Sequence, residues 1–298
     1  MAMKIKVTAG SRAFDIFNYT FVGLLCLSII YPFWTIILQA FSPVDEVYKL
    51  GLHIWLEKWS VDSWKYVFKA QSVGLAYFNT LHRTIFGTLF TLLVTFTGAY
   101  ALSKRTLPGR SYITFLYVFT MFFSGGLIPT YLIIRGLGLM NTRLVLIIPM
   151  GINVFYIIIA RNFLMTIDQA MVDSAVIDGA GYWTVLFRIM LPLSKPVLAT
   201  IALWTAVSHW NQWFDALIYI NKKELRVLQL LIRDMITKLL SWDEIQREMM
   251  EDFEFEERLP PEAVQAATIL ITIGPIILVY PFAQKYFVKG VLLGSLKG

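Results

Sequence analysis

The sequence comprises 298 residues, of which 57% are apolar and 15% are charged, with a mean hydropathy of +0.63 and a formal net charge of +6. Soluble globular domains carry about 25% charged residues, so this composition excludes an ordinary soluble domain and indicates a chain that faces lipid. The basic residues stand at the ends of apolar runs and form no stripe, which favours topology signals and headgroup contacts over nucleic-acid binding. The single cysteine, Cys26, excludes an internal disulfide.

Six apolar segments are long enough to cross a bilayer, since a spanning helix needs roughly 20 such residues. Hydrocarbon offers no partner for a free backbone N–H or C=O, so each segment is predicted to be helical. The sequence therefore predicts an all-α polytopic membrane protein with about six transmembrane helices, the first of them an uncleaved helix. The segments are Ile16–Phe41, Tyr77–Leu102, Tyr112–Ile134, Leu144–Phe163, Pro196–Ile220 and Ala266–Tyr286.

The distribution of basic residues predicts the orientation. Residues 1–15 hold Lys4, Lys6 and Arg12, whereas the first outer loop mixes basic and acidic residues. The positive-inside rule therefore places residues 1–15 in the cytoplasm and leaves residues 16–298 as one transmembrane domain. With six crossings, the C-terminus is cytoplasmic as well.

Two predicted outer loops carry structure of their own. Residues 43–76 contain Trp55, Trp59 and Trp64 among charges, as in an interfacial segment. Residues 221–265 begin with Lys222-Lys223 and continue with apolar residues at helical spacing, which favours an amphipathic helix on the membrane or on neighbouring helices. An acidic run at 243–258 fits either a docking surface for an external partner or a solvated face.

The most informative stretch lies in the predicted cytoplasmic loop 164–195 and reads DSAVIDGAGYWTVLFRIMLP. Val172, Ala175 and Val176 form an apolar face of one short helix. Gly179 permits the sharp turn that follows, and a second apolar helix ends at Pro192. A loop with exposed small apolar residues is predicted to enter a groove on a partner.

This stretch resembles the EAA loop of ABC-importer permeases, whose pattern is E-A-A-x-x-D-G-A followed eight residues later by I-x-L-P. Asp173 and Ser174 depart mildly from the first two positions, keeping charge sign and small size. The other positions of the pattern match, and they are Ala175, Asp178, Gly179, Ala180, Ile189, Leu191 and Pro192.

The chain also resembles the carbohydrate-type permeases in its six-crossing layout and in four short segments. These segments are Asn79-Thr80, Gly98–Leu102, Trp210–Phe214 and Lys289-Gly290. The long outer loop after the fifth crossing, residues 221–265, resembles that of the subgroup that handles oligosaccharides from polysaccharide breakdown, such as alginate importers.

The resemblance implies a type I ABC-importer permease in the inner membrane of a bacterium, forming half of a pathway for an oligosaccharide. The loop would form a coupling helix in a cleft of a cytoplasmic ATPase dimer. A related second permease would complete the pore as a heterodimer, and an extracytoplasmic binding protein would deliver the sugar. The chain has no G-x-x-x-x-G-K-[ST] loop, so ATP is expected to be used by the partner and no cofactor is expected on this chain.

Polar residues at lipid depth are costly and tend to face a cavity or a partner. Aromatic faces with amide and carboxylate groups suit sugars, although interhelical hydrogen bonding explains the same residues equally well. Arg83 either meets an anionic sugar or snorkels to headgroups, and the latter is favoured. The candidate path residues are Asn79, Arg83, Trp210, Asn211, Gln212, Trp213 and Asp215.

Two other function classes fit the sequence less well. An ion-coupled secondary transporter needs buried carboxylates on broken helices and an internal repeat. Asp215 is the only candidate carboxylate, and no repeat is evident. An intramembrane enzyme needs a paired catalytic constellation, and no nucleophile–base spacing predicts one. The three histidines are far apart and no cysteine pair exists, so no metal site is predicted.

Overall fold

A computed structural model describes residues 9–47, 54–69, 71–235, 237, 260 and 262–278. Helices account for the regular structure within these ranges, and no strand occurs there. The chain forms two compact units, one of residues 1–69 and 236–271 and the other of residues 70–235 and 272–298.

The first unit contains the helices α1 (Ala9–Ala40), α2 (Val44–Val47) and α3 (Asp62–Lys69). Between Phe14 and Phe33, apolar side chains are exposed on every side of α1, as expected of a helix surrounded by lipid. The segment after α1 folds back on its end: the Trp34 indole N–H donates to the Ile54 carbonyl at 2.8 Å, and the Glu46 carboxylate accepts the backbone N–H of Lys58 at 2.9 Å. Trp59 packs against Phe41, with ring centroids 5.8 Å apart.

The core of the second unit is formed by three helices that pack along their length. The long helix α4 packs most extensively against α11 and α7, and a buried apolar cluster that includes Phe96, Ile157 and Ile201 joins them. The helices of this unit are α4 (Gln71–Ser103), α5 (Arg110–Phe122), α6 (Leu127–Gly136), α7 (Val154–Leu164), α8 (Gln169–Ile177), α9 (Tyr182–Thr184), α10 (Leu191–Leu193), α11 (Lys195–Asn211) and α12 (Phe214–Tyr219). The π-helical turn Val185–Met190 connects α9 to α10.

Two helices, Gly10–Ala40 and Ser72–Ser103, are each long and apolar enough to span a membrane. Three further pairs of helices qualify if each bent pair counts as one span, which gives up to five within the described residues. The helix α13 (Glu262–Leu278) is apolar but shorter, and the rest of the predicted sixth crossing lies outside the described residues.

The six segments were predicted to be helical, and in the third, fourth and fifth of them the helix is interrupted. The third segment breaks before Gly126, which has a φ of 86°, and α5 and α6 meet at 116°. The fourth begins with the 3-10 helix Arg143–Leu146 and turns at Gly151, where a Cβ atom would lie 2.2 Å from the ring of Phe90. The fifth breaks between α11 and α12. Glycine permits the first two bends, and contacts from other helices satisfy the backbone at the third.

Three predictions fall on residues whose structure is not described: the cytoplasmic placement of residues 1–8, the acidic run 243–258, and Lys289-Gly290. They stay predictions from the sequence.

Candidate functional site

The helix α8 of the predicted coupling loop begins and ends with specific caps. The Asp168 carboxylate accepts the backbone N–H of Ala170 at 3.0 Å and caps the N-terminus. At the C-terminus, the N–H of Gly179 donates to the Val176 carbonyl at 3.0 Å and the N–H of Ala180 donates to the Ala175 carbonyl at 2.8 Å. These two bonds form a Schellman motif, which needs a residue with positive φ, and Gly179 supplies it at 85°.

The same motif explains the small residues around the turn. A Schellman motif brings an apolar contact between the residues on either side of it, here Ala175 and Ala180. Both residues pack against the core cluster shared by α4, α7 and α11. The sequence A-x-x-D-G-A therefore encodes a helix end fixed against the transmembrane helices, with Asp178 as the exposed last residue before the turn.

Asp173 and Ser174, the two departures from the EAA pattern, both lie on the exposed side of α8. The Gln169 amide donates to the Asp173 carboxylate at 3.0 Å, and the Ser174 hydroxyl donates to the Ala170 carbonyl at 2.8 Å. Their side-chain groups thus bond within the helix, which accommodates both substitutions without any contact to the core.

The second half of the loop runs through the π-helical turn Val185–Met190 into Pro192. Proline has no N–H to donate to the preceding turn. The Met190 carbonyl accepts both the backbone N–H of Ser194 at 3.0 Å and the Ser194 hydroxyl at 2.7 Å. Ile189 and Leu191 pack against the core cluster, whereas Pro192 is exposed.

The loop is divided into a buried face and an exposed face, and the division corrects the sequence prediction. Val172 is buried and Ala175 is half-buried, although both were expected on the exposed apolar face. The exposed apolar surface instead surrounds the turn, where Ile177 and Tyr182 are each 84% exposed. Val176 and Trp183 extend this surface, and the Trp183 ring stacks on Phe187 at 5.8 Å. Helical periodicity located the apolar residues but could not tell which of them the neighbouring helices cover.

A buried ion pair joins the second and fifth predicted crossings. The Arg83 side chain is 1% exposed and donates to both carboxylate oxygens of Asp215, at 2.5 and 3.2 Å. The same guanidinium donates to the Gln212 carbonyl at 2.8 Å. Because Gln212 lies at the break between α11 and α12, Arg83 satisfies a carbonyl that the interrupted helix leaves free. The expectation that Arg83 snorkels to headgroups is wrong.

Two other candidate path residues also bond within the chain. The Asn79 amide donates to the carbonyls of Glu224 and Arg226 at 2.7 and 3.1 Å. The Trp210 indole N–H donates to the Thr272 carbonyl at 3.1 Å, and its ring packs against Tyr77. Asn79 thus bonds α4 to the segment that follows α12, and Trp210 bonds α11 to Thr272 of α13.

The remaining candidates are more accessible. Asn211 is exposed, and Gln212 and Trp213 are half-buried at the helix break. The Arg233 guanidinium lies 4.5 Å from the Trp213 ring, in a cation–π arrangement. The structure therefore brings the fifth-crossing candidates together at one junction with Arg83; whether they line a path stays a prediction.

The sequence did not predict one close contact of this junction. The His209 imidazole is buried against Gly87, and a Cβ atom at position 87 would lie 2.5 Å from its Nε2 atom. A glycine opposite a polar ring in an apolar helix is a weak signal, because small residues are common wherever membrane helices approach closely.

The family described as "Binding-protein-dependent transport system inner membrane component" matches residues 105–292. This range includes the whole predicted coupling loop, residues 164–195, with its capped turn. The chain belongs to this family. The resemblance of the loop to that of ABC-importer permeases is thereby confirmed, as is the all-α membrane fold.

Similar proteins extend the match to almost the whole chain. Protein LplC of Bacillus subtilis is 41% identical over 98% of this chain and 97% of its own length. The polygalacturonan/rhamnogalacturonan transport system permease protein YtcP of the same organism is 36% identical over 97% of this chain and 99% of its own. A chain in the crystal structure of a bacterial ABC transporter involved in the import of the acidic polysaccharide alginate is 32% identical, with a TM-score of 0.86 over 94% of this chain and 98% of that one.

The chain is thus a membrane-embedded permease component of a binding-protein-dependent ABC importer, and its role is transport.

Proposed function

We propose that this permease forms one half of the translocation path of an importer for anionic oligosaccharides built from uronic acids. Two relatives that cover nearly the whole chain carry the proposal. One is a polygalacturonan/rhamnogalacturonan permease and the other belongs to an importer of acidic alginate. Permeases for neutral arabinooligosaccharides are similar too, but at 25% identity and below.

The exposed apolar surface around Gly179 supports the coupling role. Leaving Ile177, Tyr182 and Trp183 in water is unfavourable, so this surface is expected to be buried in a partner. We assign it to the cleft of a cytoplasmic ATPase, with closure of the ATPase dimer on ATP moving the loop. The buried face of the loop packs on the core that joins α4, α7 and α11, so a displacement of the loop would be transmitted to the spanning helices.

The complete importer would contain a second, homologous permease, two ATPase subunits and an extracytoplasmic solute-binding protein. The N- and C-termini and the loop 164–195 would face the cytoplasm of a bacterium. Asn211, Gln212 and Trp213, at the helix break, would contact the passing sugar.

Substrate-stimulated ATP hydrolysis tests this proposal directly. The permease pair, the ATPase and the binding protein are reconstituted in proteoliposomes and given oligogalacturonates, oligoalginates or arabinooligosaccharides of equal length. We expect stimulation by the uronates, because every sugar unit of these oligosaccharides carries a carboxylate, which the neutral oligosaccharides lack. Equal stimulation by the neutral oligosaccharides, or none by the uronates, would contradict the proposed substrate class.

A further inference from the structure

A cavity of about 450 Å³ lies between the end of α4 and the inner side of the coupling loop. Its volume is in the range of small-ligand sites. Ser103, which lines the cavity, is the last residue of a helix long and apolar enough to span a membrane, so the cavity lies at the end of that candidate span. Its polar and loop-derived lining includes Ser103, Lys104, Arg105, Thr106, Gln169 and Met190.

The lining is basic. Arg105 is exposed, while the Lys104 ammonium is half-buried and lies 4.9 Å from the centroid of the Tyr100 ring. Burial lowers the pKa of Lys104, and the Asp173 carboxylate acts in the opposite direction. Neither Lys104 nor Arg105 has an ion-pair partner within 4 Å among the described residues.

A third cation, Arg110, contacts a residue that lines the cavity. The Arg110 Nε donates to the Leu102 carbonyl at 2.8 Å, and its Nη2 lies 3.4 Å from the sulfur of Met165, a lining residue. Elsewhere in this unit, the Arg161 Nε is buried with no hydrogen-bond partner among the described residues. The Arg110 guanidinium, held beside a lining residue, adds a positive charge at the edge of the cavity and favours an anion there.

We propose that this cavity binds the phosphate group of an anionic phospholipid from the inner leaflet. Lysine and arginine at the water boundary of a spanning helix suit a phosphate, which accepts several charge-assisted hydrogen bonds. The choice of leaflet rests on the proposed cytoplasmic orientation of the loop. Because Gln169 and Met190 belong to the loop and Ser103 to α4, the headgroup would connect the loop to that helix.

Lipid retention tests the site in the assembled importer. The complex is purified in detergent, exposed to equal amounts of phosphatidylglycerol and phosphatidylcholine, and its bound lipids are counted by native mass spectrometry. Each basic residue near an anionic surface contributes about a fivefold gain in affinity, so Lys104→Gln/Arg105→Gln is expected to bind phosphatidylglycerol roughly 30-fold more weakly. Arg105→Gln alone, at an exposed position, is expected to lose about fivefold.

Arg12→Gln is the matched control, since it removes an exposed cation near the start of α1. Phosphatidylglycerol binding equal in Arg12→Gln and in the double variant would overturn the proposal. Inorganic phosphate alone is the second probe. If phosphate binds in a way that depends on Lys104 and Arg105 but the lipid does not bind, the site accepts free phosphate and the proposed phospholipid is wrong. The measurement needs no transported sugar, so lipid binding would persist even if uronate-stimulated hydrolysis failed.

Discussion

At the scale of single residues, the junction of α4 with α11 and α12 depends on the Arg83–Asp215 pair. Each residue is an isolated charge in an apolar segment, which is how the sequence singled both out. Their pairing was not predicted, because they are 132 positions apart and no local pattern joins them. The structure shows that each charge is tolerated because the other neutralises it.

Replacing Asp215 is predicted to be costly. Asp215→Asn leaves the Arg83 guanidinium buried without its counter-charge, for which we expect a loss of about 3–5 kcal/mol in unfolding free energy. Asp234→Asn is the matched control, since Asp234 pairs with Arg226 at a partly exposed site, and about 1 kcal/mol or less is expected. Thermal denaturation of the assembled complex measures both, and similar shifts in Tm would refute the structural role of the pair.

The contact between Gly87 and His209 gives a second prediction. Gly87→Ala places a methyl group against the buried imidazole and is expected to cost about 1–3 kcal/mol through overpacking. Gly98→Ala in the same helix is the control, because its nearest foreign atom would lie at 3.8 Å. Gly87→Ala/His209→Ala should recover part of the lost Tm. If Gly87→Ala and Gly98→Ala have the same Tm, the close approach is not present in the protein.

Sugar contact at the helix break is tested by uptake kinetics. Trp213→Ala removes an aromatic face at this junction and is expected to raise the KM for uptake severalfold, while the complex still assembles. Asn211→Ala, at an exposed amide, is expected to act in the same direction with a smaller effect. Unchanged uptake in both variants would remove these residues from the path.

At the scale of elements, the predicted coupling loop shows how much of a structure a local sequence pattern determines. Asp178-Gly179-Ala180 predicted the turn, and the Schellman motif with Gly179 at positive φ explains it. Local rules were sufficient there because a helix end is stabilised by bonds within a few residues. They failed for the interrupted fifth segment, where a guanidinium from α4 replaces the missing helical hydrogen bond.

The turn itself gives the prediction at this scale. Gly179→Ala forces a residue with a side chain into a left-handed conformation, which costs about 1–2 kcal/mol and should displace the exposed surface. Substrate-stimulated ATP hydrolysis is expected to fall sharply. Gly181→Ala is the control, because Gly181 has a φ of −75° and a Cβ atom added there would have no other atom within 4 Å. Equal activity of the two variants would show that the turn geometry is not needed for coupling.

At the scale of the whole molecule, composition and hydropathy were sufficient for an all-α membrane protein, but not for the course of each segment. Hydropathy averages over a window, so it does not register the bend of 116° between α5 and α6 at Gly126. The junction of Arg83, His209 and Asp215 escaped prediction for the related reason that it is assembled from distant helices.

Orientation is the prediction at this scale. In a Cys26→Ser background, a cysteine introduced by Ser174→Cys on the exposed side of α8 should react with an impermeant thiol reagent only from the cytoplasmic side. A cysteine introduced by Lys222→Cys, beyond the fifth segment, should react only from outside. Sealed right-side-out and inverted vesicles distinguish the two, and the reversed pattern would invert the topology and remove the loop from reach of an ATPase.

The neutrality of the Arg83–Asp215 pair has an electrical consequence. Moving one elementary charge through a membrane voltage of 100 mV involves about 2.3 kcal/mol of work. If the junction is displaced with the pair intact and without rotation, zero net charge crosses the field and no such work is exchanged. Under the proposed function, a voltage across the bilayer would then act on the carboxylates of a uronate rather than on this ion pair.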